Sequence, residues 1–311
     1  MTKETLLHTP VLLAETLQGL ELKNGMNVVD CTLGLGGHSA EILRQIGKEG
    51  RLLAIDQDQE ALEIAKQKLC PFKNQITFVH GNFGDLAKIV KSHNFPAPEA
   101  LLADLGVSSL QLDTAERGFS WSKEGPLDLR MDQSQGVPVS NLLEELELDE
   151  LTQIFRRYGE VDGARKLALK IKNKRTNKIT TTSQLAEIVD TLLPRYGNKK
   201  KPLSQVFQAL RIKVNDELGA LTRMLESLSS ILANRARVAI ISFHSLEDRI
   251  VKDFFRQASL TCTCPPESPI CVCGQIAQFR IINKKPIVPT SAEIDRNPRS
   301  RSAKLRVYQK L

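Results

Sequence analysis

No apolar run among the 311 residues approaches the roughly 20 needed for a transmembrane helix, so a membrane-spanning helix is not expected. The opening residues, MTKETLLHTPVLL, lack the apolar core of a secretory signal, which points to the cytoplasm. Internal repeats and long low-complexity segments are also missing, and solenoid architectures go with them. There is no G-x-G-x-x-G, the turn that cradles a dinucleotide pyrophosphate. Nor is there a G-x-S-x-G elbow, so the neighbouring Ser242, His244, Ser245 and Asp248 do not read as a hydrolase triad. Aromatic residues make up only 5% of the chain, with a single Trp.

What is present is organised around Val28–Asp58. A short apolar run ends in Asp30, and the turn Gly34-Leu35-Gly36-Gly37 follows. Ile42, Leu43 and Ile46 then recur at helical spacing, Gly47 and Gly50 stop the helix, and Leu52 to Ile55 run into Asp56. Strand, glycine turn, helix, strand and acid make a nucleotide-binding βαβ unit. Glycines let a ligand approach the backbone at a helix N-terminus, where N–H groups point outward. Asp56 stands 20 residues after Gly36, where a carboxylate can accept both hydroxyls of an adenosine ribose. An acid such as Asp30 at the end of the first strand would repel a pyrophosphate. It suits a ligand with a positive centre and an ammonium group, such as S-adenosylmethionine.

Further strands are expected at 76–79, followed by His80-Gly81-Asn82-Phe83, and at 100–105, which contains Asp104. Asp30, Asp56 and Asp104 then line the carboxyl edge of a doubly wound sheet, where such folds bind ligands. Phe83 could stack on an adenine or simply pack in the core. The rhythm stops between 113 and about 212, where helical patterns fall near 149–158, 162–174, 183–193 and 203–213. It returns with a helix over 215–233 and a strand at 237–243, then two last strands at 279–282 and 305–308. Two domains are expected: 1–112 with 213–311, and an inserted 113–212.

The net charge is +7 with a pI near 9.1, and the bias is local. Residues 165–178 carry seven Lys/Arg and no acid, a surface suited to tracking phosphates or a plain solvated face. Of six cysteines, Cys262, Cys264, Cys271 and Cys273 cluster around Pro265, Pro266 and Pro269. Four thiolates could hold structural Zn²⁺, although C-x-C is tighter than the usual spacing. Unliganded thiols and redox pairing stay open as alternatives.

Ten segments carry a more specific resemblance: HTPVLLAE, DCTLGLGGHS, AIDQD, HGNF, DLGVSSLQLD, ERGFS, GPLDLRMD, FQALRIKVNDEL, ISFHSLEDR and NPRSRSAKLR. Together, in one order from His8 to about Val307, they resemble the ribosomal RNA small-subunit methyltransferase H family, also called MraW. The resemblance implies an α/β, Rossmann-like fold that uses S-adenosyl-L-methionine, with an all-helical, RNA-recognising insert. It implies N4-methylation of a cytidine in the decoding region of 16S rRNA on the small ribosomal subunit. Cofactor contacts would then fall on Gly36, Gly37, His38, Asp56, Phe83, Asp104 and Gln111. The D/N/S-P-P-Y/F motif of many amino-methyltransferases is replaced here by Asp104-Leu105-Gly106-Val107. Asp104 is the first candidate acceptor or cofactor anchor, with His244 and Ser242 as candidate contacts on the side of the target base. A homodimer is one option the sequence leaves open. A small-molecule methyltransferase and a non-catalytic assembly factor are the rival readings.

Overall fold

The structure, a computed structural model, describes residues 10–173, 178–193, 201–264 and 272–311. His8, Lys174, Arg175 and Cys271 lie outside the described residues. The chain divides into two compact units, one of residues 1–106 with 218–311 and the other of 107–217. The sequence reading drew these boundaries at 112/113 and 212/213.

In the first unit, seven strands among the described residues form one mixed sheet. They are β1 (Asn27–Asp30), β2 (Arg51–Asp56), β3 (Ile76–His80), β4 (Ala100–Asp104), β5 (Arg237–Ser242), β6 (Phe279–Ile281) and β7 (Lys304–Lys310). Their order is β3-β2-β1-β4-β5-β7-β6. The first five are parallel, and β7 inserts antiparallel between β5 and β6. Parallel strands covered on both faces read as continuous apolar runs. Accordingly Leu52–Ile55 and Leu101–Ala103 are fully buried.

Helices α1 (Leu13–Leu20), α2 (Gly37–Ile46), α3 (Gln59–Lys68) and α4 (Leu86–Ser92) belong to this unit. One side of the sheet packs Ile42, Leu43 and Ile46 of α2 with Leu62 and Ala65 of α3. At the far end, Phe255 stacks on Tyr308 at 3.6 Å and meets Phe279 edge-on at 5.1 Å. The order in which strands are added reverses between β1 and β4: β2 and β3 extend the sheet to one side of β1, and β4 and β5 extend it to the other, all running parallel. In doubly wound sheets that reversal opens a crevice at the carboxyl ends of the two strands. The residues there are Asp30 and Asp104.

The second unit is helical: α5 (Ser109–Asp113), α6 (Val139–Glu145), α7 (Leu148–Gly159), α8 (Ala164–Lys172), α9 (Thr182–Leu192) and α10 (Lys201–Asn215). Its own core includes Leu151, Phe155, Leu167, Leu185, Val206 and Leu210. The ERGFS and GPLDLRMD segments form an ordered loop here. Asp128 takes Arg130 in a two-pronged pair at 2.7 and 3.0 Å, while Arg117 is buried and donates to the carbonyls of Arg130 and Met131. Asn215 closes the loop by donating to Leu129 O and accepting from Met131 N–H. Polar residues that look functional by sequence therefore satisfy buried backbone groups.

Candidate cofactor site at the strand ends

The glycine turn has the geometry its composition demands. Gly34 and Gly36 have φ of +51° and +72°, where a Cβ is strained. The turns differ in what surrounds them. No atom lies within 4 Å of the Cβ position of Gly34, whereas a Cβ on Gly37 would sit 2.5 Å from Pro10 Cγ. Gly37 is thus small because Pro10 packs onto it, and Gly34 faces open space. Ser39 Oγ donates to Asp30 Oδ2 at 2.6 Å, and Thr32 N–H donates to Oδ1 at 3.0 Å. Both Asp30 oxygens are used by the chain itself. This acid holds the turn together rather than presenting a bare carboxylate.

Asp56 ends β2 next to that turn. Its Oδ2 accepts from Gly34 N–H at 2.7 Å and its Oδ1 from Asp58 N–H at 2.8 Å. Asp58 in turn caps α3 by accepting from Glu60 and Ala61 N–H. Each Asp56 oxygen keeps a lone pair for a further donor. Burial pushes the Asp56 carboxyl up to about 6, against the lowering effect of the two N–H donors.

Asp104 differs from both. Its backbone N–H donates to Thr32 Oγ1 at 2.6 Å, and its Oδ2 lies 3.7 Å from His38 Nδ1. Its Oδ1 is buried with no hydrogen-bond partner among the described residues. Burial, then the charges of Asp30 and Glu247, hold its carboxyl well above the ordinary range. His38 is itself anchored, with Nε2 3.0 Å from Val11 O. An unsatisfied buried acceptor costs about 1–3 kcal/mol, and more when charged, so the site calls for a donor. A cationic ammonium fits this need better than a neutral group.

A family description, the MraW methylase family, matches residues 5–311. The chain belongs to the MraW methylase family. Curated relatives agree in length and order. A "Ribosomal RNA small subunit methyltransferase H" of Clostridium botulinum (strain Loch Maree) is 46% identical, covering 98% of this chain and 99% of that one. Proteins of the same name from Symbiobacterium thermophilum and a Paenibacillus species are 44% and 46% identical, with 96% and 99% of their own lengths covered.

For this methylase-family chain the remaining sequence candidates have definite places. Phe83, in a short 3₁₀ turn, is half-buried against the core below β3. Gln111 is buried in the second unit and closes a capping box with Ser108, so its amide has a local structural task. Ser242 is buried at the end of β5. His244 caps helix α11 (Ser245–Ala258), its Nδ1 accepting from Glu247 N–H, while Glu247 accepts from the N–H groups of Phe243 and His244. The cap thus falls on His244, with Glu247 at the third helical position. Asp248 pairs with Arg306 at 2.7 Å and Lys304 at 3.4 Å.

Asp30, Gly34, Gly36, His38, Asp56 and Asp104 are thereby brought to one edge of the first unit. Two features escaped the sequence reading: the open space at Gly34 and the packing of Pro10 on Gly37. Only the through-space packing distinguishes these glycines.

Proposed function

We propose that this chain transfers a methyl group from S-adenosylmethionine to the exocyclic N4 amine of a cytidine in the decoding region of 16S rRNA, acting on the small ribosomal subunit. The observation that carries the cofactor half is the buried, unpartnered Asp104 Oδ1 at the sheet's reversal point, two strands along the same edge from Asp56. The substrate half is supported by the shared name of the full-length relatives. It is also supported by the basic composition of the chain.

In this reading Asp104 receives the cofactor's ammonium, with His38 beside it. Asp56 accepts the ribose hydroxyls while its two backbone donors keep the carboxylate oriented. Gly34 leaves room for the ligand, and Gly36 sets the turn. Phe83 borders the adenine. The cofactor supplies a methyl group already activated by its positive sulfur. Positioning therefore supplies much of the rate, as holding two reactants in line removes an entropic cost. The cytosine amine is the poorer partner because its lone pair is delocalised into the ring. An acceptor for its N–H stabilises the charge that develops as the bond forms. His244 is the base-side candidate. Ser242, being buried, supports the strand end beneath it rather than touching the base. The target base must leave its stack so that its Watson–Crick edge can be read.

In this reading the helical unit holds the surrounding RNA backbone, and local pairing separates the cations of residues 165–178 from one another. Lys172 Nζ donates to the carbonyls of Leu143 and Glu144, at the end of α6. Arg165 pairs with Asp149 and Lys178 with Glu144. Lys166 and Lys170, exposed on α8, are the better phosphate contacts.

The test is transfer of labelled methyl from S-adenosylmethionine to small subunits lacking the modification, with Asp56→Ala as control. Label in N4-methylcytidine that is lost in the variant supports the proposal. Tight subunit binding without label would favour an assembly factor, and activity insensitive to RNase would favour a small-molecule methyltransferase.

A further inference from the structure

Among the described residues, a group of cysteine side chains converges away from the strand-end site. Cys262 and Cys264 follow α11, and Cys273 precedes β6. Their Sγ atoms all lie within 4.8 Å of one another. Cys273 Sγ is 3.8 Å from Cys262 Sγ. That is far beyond the roughly 2.05 Å of a disulfide. It equals the edge of a tetrahedron of sulfurs about 2.3 Å from its centre, an edge of about 3.8 Å, which is the Zn–S geometry.

The surrounding backbone points the same way. Thr263 N–H donates to Cys273 Sγ at 3.3 Å, Cys264 N–H to Cys262 Sγ at 3.4 Å, and Val272 N–H to Cys264 Sγ at 3.4 Å. Each of the three sulfurs thus receives a backbone donor. A neutral thiol is a weak acceptor, whereas a thiolate bound to a metal accepts strongly. The chain has arranged donors for negative charge on all three sulfurs.

We infer that Cys262, Cys264 and Cys273 form a thiolate site for one Zn²⁺, separate from the methyl-transfer machinery. Soft thiolates select zinc over the hard divalent cations. Binding exchanges three S–H bonds for three Zn–S bonds and releases three protons to solvent. The site's place in the fold indicates its task. Gln278 N–H donates to Ala258 O at 2.8 Å, tying the re-entry of the chain into the sheet to the end of α11. A metal on Cys262, Cys264 and Cys273 closes the same excursion farther out, holding the chain that leaves α11 to the chain that enters β6. The site is structural rather than catalytic. Cys262 and Cys273 are exposed and Cys264 is half-buried, so a metal ion can reach the cluster from solvent.

The experiment uses the full chain, expressed with zinc in the medium and dialysed into buffer without chelator. Metal content is measured for the wild type, the three single Cys→Ser variants and the triple variant. About one zinc per chain in the wild type, falling at least tenfold in the triple variant, is the expected result. Replacement by Co²⁺ should give thiolate-to-metal charge-transfer absorption and the intense d–d bands of a tetrahedral site, both lost in the triple variant. S-adenosylmethionine binding by calorimetry serves as the check that the variants are folded, and it should be unchanged. Wild-type protein without zinc and without the Co²⁺–thiolate bands would overturn the inference. So would zinc retained by the triple variant, or an iron–sulfur cluster in its place. None of these outcomes depends on whether RNA is methylated.

Discussion

Cofactor binding should release protons, in an amount that the structure sets. The Asp56 carboxyl is pushed up to about 6 by burial, so at pH 6 about half of the unliganded molecules carry a proton there. Acceptance of two ribose hydroxyls requires the carboxylate. Asp56 alone therefore gives up about 0.5 proton per cofactor at pH 6. Asp104 is raised well above its ordinary range by burial and by the charges of Asp30 and Glu247, and a bound ammonium would ionise it too. The wild type should release more than about 0.5 proton at pH 6. From Asp56 alone, affinity should weaken about tenfold between pH 7 and pH 5, or about 1.4 kcal/mol. Calorimetric titrations at pH 6 in buffers of low and high ionisation enthalpy measure this number from the slope. Asp104→Asn should leave only the Asp56 share, and Asp56→Asn only the Asp104 share. Zero release or net uptake by the wild type at pH 6 would refute the assignment of these carboxyls to the cofactor.

The same shift bears on stability without ligand. A carboxyl raised from 3.8 to about 6 contributes stability that is complete below pH 3.8 and lost as pH rises through 6, about 3 kcal/mol for Asp56. Thermal unfolding of the cofactor-free protein should therefore occur at a lower temperature at pH 7.5 than at pH 5, and saturating cofactor should narrow the gap. Two glycine variants should separate packing from ligand access. Gly37→Ala collides with Pro10 and should cost about 1–3 kcal/mol in denaturant unfolding. Gly34→Ala meets no atom and should cost only the φ strain of about 1–2 kcal/mol, yet lower cofactor affinity more than its stability loss explains. On the helical unit, Lys166→Ala with Lys170→Ala should reduce the slope of log affinity against log salt by about 1.4–1.8 in filter binding to the subunit. Lys172→Ala should instead destabilise the protein by about 1–2 kcal/mol with that slope unchanged, because its ammonium serves the end of α6.

Most of the α/β unit was legible because its strands are short apolar runs, three of which, β1, β2 and β4, end in an acid. The runs at 52–55 and 100–105 reflect burial of both sheet faces, and that writes itself into the sequence; the edge strand at 76–79 is buried only in part. Val139–Glu145 was missed because it follows Pro138 without a capping side chain and is only seven residues long. Strand direction was not legible either, since β7 has the same apolar content whether parallel or antiparallel. The site was half legible. Spacing singled out Asp56 and the glycine turn as candidates, and the structure puts them side by side, whereas Asp30 and Asp104 look alike in sequence. Their difference is made by Ser39 and Thr32, which satisfy both oxygens of Asp30 and leave one oxygen of Asp104 bare.

That difference also explains why three acids can share one sheet edge. Like charges at neighbouring strand ends raise one another's pKa, and burial adds to the effect. Such an arrangement costs stability at neutral pH, so it needs either a compensating donor or a ligand. Asp30 has its donors in Thr32 and Ser39, and Asp56 has Gly34 and Asp58. Only Asp104 keeps a buried oxygen unsatisfied, with His38 3.7 Å from its other oxygen. A neutral ligand would leave the shared negative charge uncompensated; a pyrophosphate would add to it. A ligand bearing both an ammonium and a sulfonium offsets it. In the proposed function the edge disfavours a dinucleotide and favours a cationic cofactor through the same residues that destabilise it when empty, so Asp104→Asn should raise the stability of the cofactor-free protein at pH 7.5 while weakening cofactor binding. A variant that lost both stability and binding would mean that Asp104 is a structural acid after all.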